Sequence, residues 1–228
     1  MKRKISLLLV MLFVFSLFVV ACGKGTEPPA GQQTGEQEQT GEGKVTRLLM
    51  ATGGTGGTYY PLGGAMANTW NDHIEGLNVT VQSTGASIEN IRLLASGETE
   101  LAMAMNGPAI QAITGTGDFE GQPLEFAAIG VIYPEVMQIV TPKSTGIKSI
   151  EDLKGKRVSI GPPGSGTASA AVKILQAYGI DPDKDIQKFQ DTFADAARKL
   201  KDGNLDAAFA VLAVPAANIL DITTATPV

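Results

Sequence analysis

Hydrophobic and polar positions change their rhythm several times along the chain. Residues 5–20 are apolar apart from Ser6 and Ser16, and residues 23–44 hold hardly an apolar side chain. Beyond Val45, short apolar or alternating runs suited to strands trade places with segments whose apolar positions recur every three or four residues, as in helices. Residues 46–50 predict a first strand. Leu62, Ala65, Met66, Thr69, Trp70, His73 and Ile74 then predict one packed helical face, which assigns Trp70 and His73 to the core wall rather than to a site. Residues 77–82 alternate like a strand; Ile88, Ile91, Leu94 and Ala95 mark the next helix, and Gly97 ends it. Residues 101–105 predict a short buried strand closed by Asn106-Gly107-Pro108, with a helix over 109–113. Two more strands are predicted over 126–132 and 136–140, with Tyr133-Pro134-Glu135 between them. A polar connector, 141–146, precedes a capped helical turn over 149–153 and a strand over 156–160. Ala171, Ile174, Leu175 and Tyr178 carry the apolar face of the helix that follows. Strands alternating with helices through short loops predict an α/β fold with largely parallel sheets.

Two loops stand out within that pattern. Ala51-Thr52-Gly53-Gly54-Thr55-Gly56-Gly57-Thr58 separates the first strand from the first helix, and Gly161-Pro162-Pro163-Gly164-Ser165-Gly166-Thr167 does the same after residue 160. Glycines let backbone approach a guest closely, hydroxyls donate and accept, and the open N–H groups of a helix's first turn favour an anion. One such run alone is equally well a sharp turn; two in equivalent places favour ligand binding. A third strand-to-helix passage, Ser83-Thr84-Gly85-Ala86-Ser87, puts hydroxyls at another helix start. Ser87 or Thr84 serves there either as a helix cap or as a ligand contact, and the sequence leaves both open.

The loops belong to a longer repeat. Ser96-Gly97-Glu98-Thr99-Glu100-Leu101-Ala102-Met103-Ala104 aligns with Asp202-Gly203-Asn204-Leu205-Asp206-Ala207-Ala208-Phe209-Ala210, matching glycine, acid and two alanines. Both the loop pair and this pair lie roughly one hundred residues apart, well beyond the ~20–50-residue period of a solenoid. Two similar α/β lobes are expected, each presenting a glycine loop at the C-terminal edge of its strands, where open α/β sheets bind ligands.

The N-terminus sets the compartment. Lys2, Arg3 and Lys4 precede the apolar run, which is too short to span a bilayer, so residues 1–22 read as a secretory signal. The signal ends at Val19-Val20-Ala21-Cys22, which resembles a bacterial lipobox and implies acylation of Cys22, the only cysteine. The Gly-, Gln-, Glu- and Thr-rich residues 23–44 then form a polar leash that cannot bury enough surface to offset its ordering entropy. With 228 residues, 43% of them apolar, and a formal charge of −5, the rest suffices for one substantial core or two smaller ones. The absence of a basic cluster beyond the N-terminus argues against a nucleic-acid partner.

Catalytic and cofactor patterns fail on inspection. Gly54-Thr55-Gly56 meets Tyr59 where a dinucleotide fingerprint needs its third glycine, and Gly164-Ser165-Gly166 meets Ser169. No Gly-Lys-Ser/Thr occurs, Gly85-Ala86-Ser87-Ile88-Glu89 lacks the last glycine of a nucleophile elbow, and His73 is the only histidine. No enzyme, no metal and no cofactor are expected.

The spaced set 54–63, 83–87 with Glu89-Asn90, 161–167 and Lys201-Asp202-Gly203 with Asp206-Ala207 resembles the TAXI family, the receptors of tripartite ATP-independent periplasmic (TRAP) transporters. That resemblance runs from about Arg47 to the end. It implies a type II periplasmic-binding-protein-like fold of two similar lobes, over 45–140 and 141–228, closing on a small organic anion such as glutamate or a 2-oxoglutarate-like carboxylate. The implied partners are a TRAP membrane permease and, through Cys22, the outer face of a bacterial membrane. Carried over position by position, the ligand loops are Gly56, Gly57, Thr58 and Tyr59, then Ser83, Thr84 and Ala86, then Asn106, and on the second lobe Gly164, Ser165, Gly166 and Thr167. Asn106 stands where many members have aspartate, which tilts the expectation toward a carboxylate without an amine. The resemblance also implies a C-terminal segment that completes the second lobe and crosses back, so a second lobe short of strands is expected in a chain ending at Val228. The alternatives are a substrate-binding lipoprotein of an ABC importer and a shortened surface lipoprotein without a ligand.

Overall fold

The structure is a computed structural model that describes residues 44–228; the predicted signal, Cys22 and nearly all of the predicted leash lie outside the described residues. The first sheet is built by β1 (Thr46–Ala51), α1 (Tyr59–His73), β2 (Leu77–Gln82), α2 (Ser87–Ser96) and β3 (Leu101–Ala102), with α3 (Asn106–Thr114) after it. It is parallel in the order β2-β1-β3, with Met50 opposite both Val81 and Leu101. β1 runs from exposed Thr46 to buried Met50 and Ala51, so its C-terminal edge sits deepest.

The second sheet repeats the plan. β5 (Arg157–Ser159), α4 (Gly166–Ala177), β6 (Gln187–Phe189), α5 (Phe193–Lys201) and β7 (Ala207–Leu212) set the parallel order β6-β5-β7, and β4 (Val136–Val140) adds an antiparallel edge strand beside β7. Helix α6 (Ala217–Ala225) closes the described chain. β7 is buried along its whole length. Ala207 and Phe209 face Leu175 and Val158 on one side, whereas Ala208 packs with Ala196, Leu200 and Ile222 on the other, as side-chain alternation requires.

The sequence repeat has a physical basis. Gly97 (φ 75°) and Gly203 (φ 70°) turn the chain out of a helix through left-handed backbone. Three residues on, Glu100 accepts the Leu49 N–H at 2.7 Å and returns its own N–H to the Leu49 carbonyl at 3.1 Å. Asp206 does the same with Arg157, accepting its N–H at 2.8 Å and donating to its carbonyl at 2.9 Å. Each acid thus fixes the register of the last strand against the first.

Four expectations need correction. The core face of α1 is Tyr59, Gly63 and Ala67, whereas His73 is exposed and its Nδ1 lies 2.8 Å from the Thr69 carbonyl. A side chain at Gly63 would stand 2.8 Å from Thr52 Cγ2, so the helix lies against the sheet through small residues and its larger apolar side chains flank the contact. The predicted strand over 126–132 is irregular, with Ile129 85% and Val131 96% exposed, because among the described residues no strand lies alongside to pair with it. β4, assigned by sequence to the first lobe, belongs to the second sheet. The strand predicted over 101–105 forms only at Leu101–Ala102, and α3 already begins at Asn106.

Candidate functional site

The C-terminal edges of the two sheets face each other, and the first strand-to-helix loop of each meets the other across a cleft. The first lobe's edge is pinned by one buried side chain. Asn90, fully inaccessible, donates through Nδ2 to the Thr52 carbonyl at 2.5 Å and to the Met103 carbonyl at 2.7 Å, and accepts the Thr84 hydroxyl at 2.5 Å. That amide ties together the ends of β1, β2 and β3. The Thr52 hydroxyl adds a bond to the Gln82 carbonyl at 2.6 Å, and the Ser83 hydroxyl one to the Gly53 carbonyl at 3.0 Å.

Neither Thr84 nor Ser87 caps α2. Ser87 Oγ accepts the Met105 N–H at 3.0 Å, and Thr84 Oγ1 accepts the Ala86 N–H at 3.0 Å. Ala86 itself is held at φ 79°, ψ −143°, a region L-residues rarely enter. The cap comes from the opposite lobe: the Gly164 carbonyl accepts the N–H groups of Ile88 at 3.0 Å and Glu89 at 3.2 Å. The other crossings are equally close. The Ala213 N–H donates to Thr58 Oγ1 at 3.2 Å, and the Ser169 hydroxyl to Asp118 at 2.6 Å. A Cβ on Gly85 would sit 2.5 Å from the Pro163 carbonyl oxygen, so only glycine permits this approach.

Between these crossings lies the cleft, lined by Gly53, Gly54, Gly57, Thr58, Tyr59, Ala86, Ser87, Met105, Tyr133, Glu135, Pro162, Ser165, Gly166, Thr167, Phe193, Val211 and Leu212. Helix N-termini contribute to this lining, those of α1, α2 and α4 among them. Ser165 caps α4 through the Ala168 N–H at 3.0 Å. The N–H groups of Tyr59, Ser87, Gly166 and Thr167 have no hydrogen-bond partner among the described residues. Cavity volume is about 30 Å³, room for roughly one water molecule, so the lobes are closed upon each other.

One ionisable carboxylate reaches this space. Glu135, half-buried, accepts the Tyr59 hydroxyl at 3.0 Å and the Tyr133 hydroxyl at 3.3 Å, and the two rings meet edge to face at 6.4 Å. Burial pushes the Glu135 carboxyl above the usual carboxylate range, and the two hydroxyl bonds pull the other way. Burial together with the Glu135 charge pushes both phenols up. No lysine, arginine or histidine lines the cleft.

Of the residues expected at the ligand, Gly57, Thr58, Tyr59, Ala86, Ser165, Gly166 and Thr167 line the cleft. Gly56, Ser83, Thr84, Asn106 and Gly164 do not. Ser83 and Thr84 hold backbone carbonyls and side-chain amides in place, Gly164 caps α2, and Gly56 abuts Ala194, whose N would lie 2.9 Å from a Cβ there. Asn106 is exposed at the start of α3, and its neighbour Met105 reaches the cleft instead. Sequence reasoning passed over Tyr133, Glu135 and Phe193. An acid bracketed by tyrosine, proline and apolar runs was the available signal for Glu135.

The NMT1-like family matches residues 50–228, and the chain belongs to it. Solved structures share its fold. A protein from Bordetella bronchiseptica RB50 is 20% identical, with a TM-score of 0.59 over 80% of this chain and 56% of that one. The binding protein component of an ABC phosphonate transporter from Pseudomonas aeruginosa is 14% identical, with a TM-score of 0.54 over 73% of this chain and 57% of that one. The alkanesulfonate-binding protein SsuA from Xanthomonas axonopodis pv. citri is 17% identical, with a TM-score of 0.47 over 73% and 60%. The match therefore spans 56–60% of the length of these three structures. The fold is that of type II periplasmic binding proteins. No helix among the described residues is long and apolar enough to cross a membrane.

Proposed function

We propose that this chain is the solute-binding receptor of a membrane transporter and captures a small organic anion, a glutamate- or 2-oxoglutarate-like carboxylate, between its lobes. One observation carries the reading: three helix N-termini with open N–H groups converge on a single interlobe cleft that contains no basic side chain. Each helix end contributes ~0.3–1 kcal/mol toward an anion when exposed and up to ~2 kcal/mol when partly buried. Direct hydrogen bonds to a charged group add ~1.5–3 kcal/mol each, so two or three ends with their amides reach the ~8 kcal/mol of micromolar affinity. Because the closed cavity holds about one water, the solute enters only when the Gly164 and Thr58 crossings part, and closure then excludes solvent.

The receptor works with a TRAP permease and is tethered outside a bacterial membrane through acylated Cys22; the glycine-threonine-tyrosine constellation of residues 54–60 supports the TRAP assignment. A second reading, the receptor of an ABC importer, is favoured by the fold shared with the Pseudomonas aeruginosa phosphonate-transporter component. Reconstituted uptake separates the two, since the first needs an ion gradient and the second ATP. Catalysis forms no part of the proposal, because the sole histidine is exposed on α1 and does not line the cleft.

Thermal unfolding of the full chain with a panel of amino acids, 2-oxo acids and simple dicarboxylates tests binding. A compound present at ~100 times its dissociation constant stabilises the fold by ~2.7 kcal/mol and raises the midpoint visibly. A panel that leaves the midpoint unmoved overturns the receptor reading.

A further inference from the structure

We infer that the solute carries a protonated amine as well as a carboxylate, and that Glu135 is the side chain that holds the amine. This rests on the receptor reading above and narrows it to zwitterions. Among the side chains lining the cleft, Glu135 is the sole carboxylate, and no cationic side chain stands near it to satisfy its charge. Tyr59 and Tyr133 each donate to a different one of its oxygens, at 3.0 and 3.3 Å. The carboxylate is thereby oriented while most of its acceptor capacity stays open, which suits an ammonium with its three donors. Tyr59 joins the two ends of the site: its hydroxyl meets Glu135, and its own N–H lies at the α1 N-terminus. Anion-favouring amides and an anionic side chain thus share one enclosed space.

A ligand with carboxylates alone would bring like charge against Glu135, which is half-buried with the lobes closed, where repulsion is stronger than in open water. A zwitterion meets both ends with opposite charge. Burial now holds the Glu135 carboxyl above its usual range, and a bound ammonium would reverse that direction. Asn106, the position from which the sequence argued for a ligand lacking an amine, is exposed and outside the cleft, so it has no bearing on the choice.

The test is calorimetric titration of the full chain with matched pairs, each an amino acid and its deaminated counterpart: glutamate with 2-oxoglutarate and with glutarate, alanine with pyruvate, and the remaining common amino acids with their 2-oxo acids. For the pair that binds, the amino member is expected to bind the wild type on the order of 100-fold more tightly, within the range that loss of one partner of a hydrogen-bonded charge pair brings. In Glu135→Gln that preference should fall about tenfold or more, whereas Glu135→Asp, which keeps the charge, should retain most of it. A deaminated member that binds the wild type as tightly, or a preference that survives in a folded Glu135→Gln, overturns the inference and leaves the receptor standing. If no compound of either kind binds, the receptor reading falls and the inference with it. Should Glu135→Gln not fold, the wild-type pair decides alone.

Discussion

Single residues decide what the cleft is. Asn90 holds three strand ends with one amide in a site without solvent, so its loss leaves the Met103 carbonyl without this partner and the Thr84 hydroxyl to donate only to the Thr52 carbonyl, at 3.1 Å. Asn90→Ala is expected to cost about 3 kcal/mol in urea unfolding, and a loss below about 1 kcal/mol would mean the three loops hold one another without it. Glu135 gives the opposite sign. Its folded-state pKa lies above the unfolded value, chiefly through burial, so the folded protein binds more protons there and this group's contribution to stability falls as pH rises between the two values. The groups facing it are the Tyr59 and Tyr133 hydroxyls, neither of which ionises in that window. Glu135→Gln keeps the size, one acceptor oxygen for a phenol and an amide that can donate to the other phenol's oxygen, and removes the charge. Its stability advantage over the wild type should widen from near zero around pH 4 toward neutrality; an advantage that does not change with pH would contradict the assignment. The hydroxyls at 83 and 84 show what a residue-level reading does not separate. A serine or threonine at a strand end looks the same in sequence whether it faces a ligand or a backbone carbonyl, and here both face the backbone.

At the level of elements, the strands legible in advance were those whose pattern is local. The bounds of β2 and β4 follow alternation or apolar runs directly. The segment 126–132 has the same apolar character but stays irregular, since a strand is completed by its neighbour and not by its own sequence. On α1, Leu62 and Trp70 pack against the core as their spacing predicts, but the closest contact is made by Gly63 and Ala67, small residues that a search for large apolar side chains ignores. Small residues also set how closely elements meet across the cleft. A Cβ on Gly166, the first residue of α4, would lie 2.4 Å from Met105 Sδ, 3.0 Å from Ser87 Oγ and 3.1 Å from Pro108 Cγ. Gly166→Ala should therefore cost about 1–3 kcal/mol and hold the lobes apart, seen as a larger radius in solution scattering. Gly107→Ala on α3, where an added Cβ meets nothing within 4 Å, is the control and should neither destabilise the fold nor enlarge the radius. Equal behaviour of the two variants would show that α4 does not pack against the first lobe in solution.

For the whole molecule, a repeated β-α-β-α-β unit explains both the architecture and the position of the site. Doubling the unit puts two strand-to-helix loops and their helix ends opposite each other, and the acid that follows each helix fixes the register on which that placement depends. This much was visible in the sequence, because Glu100 and Asp206 recur with their glycines at the same offset. The closure of the lobes was not, since it rests on Gly164, Thr58 and Ser169 meeting partners far away in the chain. The central claim is that helix N-termini in this cleft hold a small anion. Its most direct test is a proton–nitrogen NMR titration of the full chain with glutamate and, separately, with 2-oxoglutarate, following the amides of Tyr59, Ser87, Gly166 and Thr167. These four are expected to move together and saturably with one of the two compounds. Saturable binding that leaves all four unmoved would place the solute elsewhere and contradict the claim.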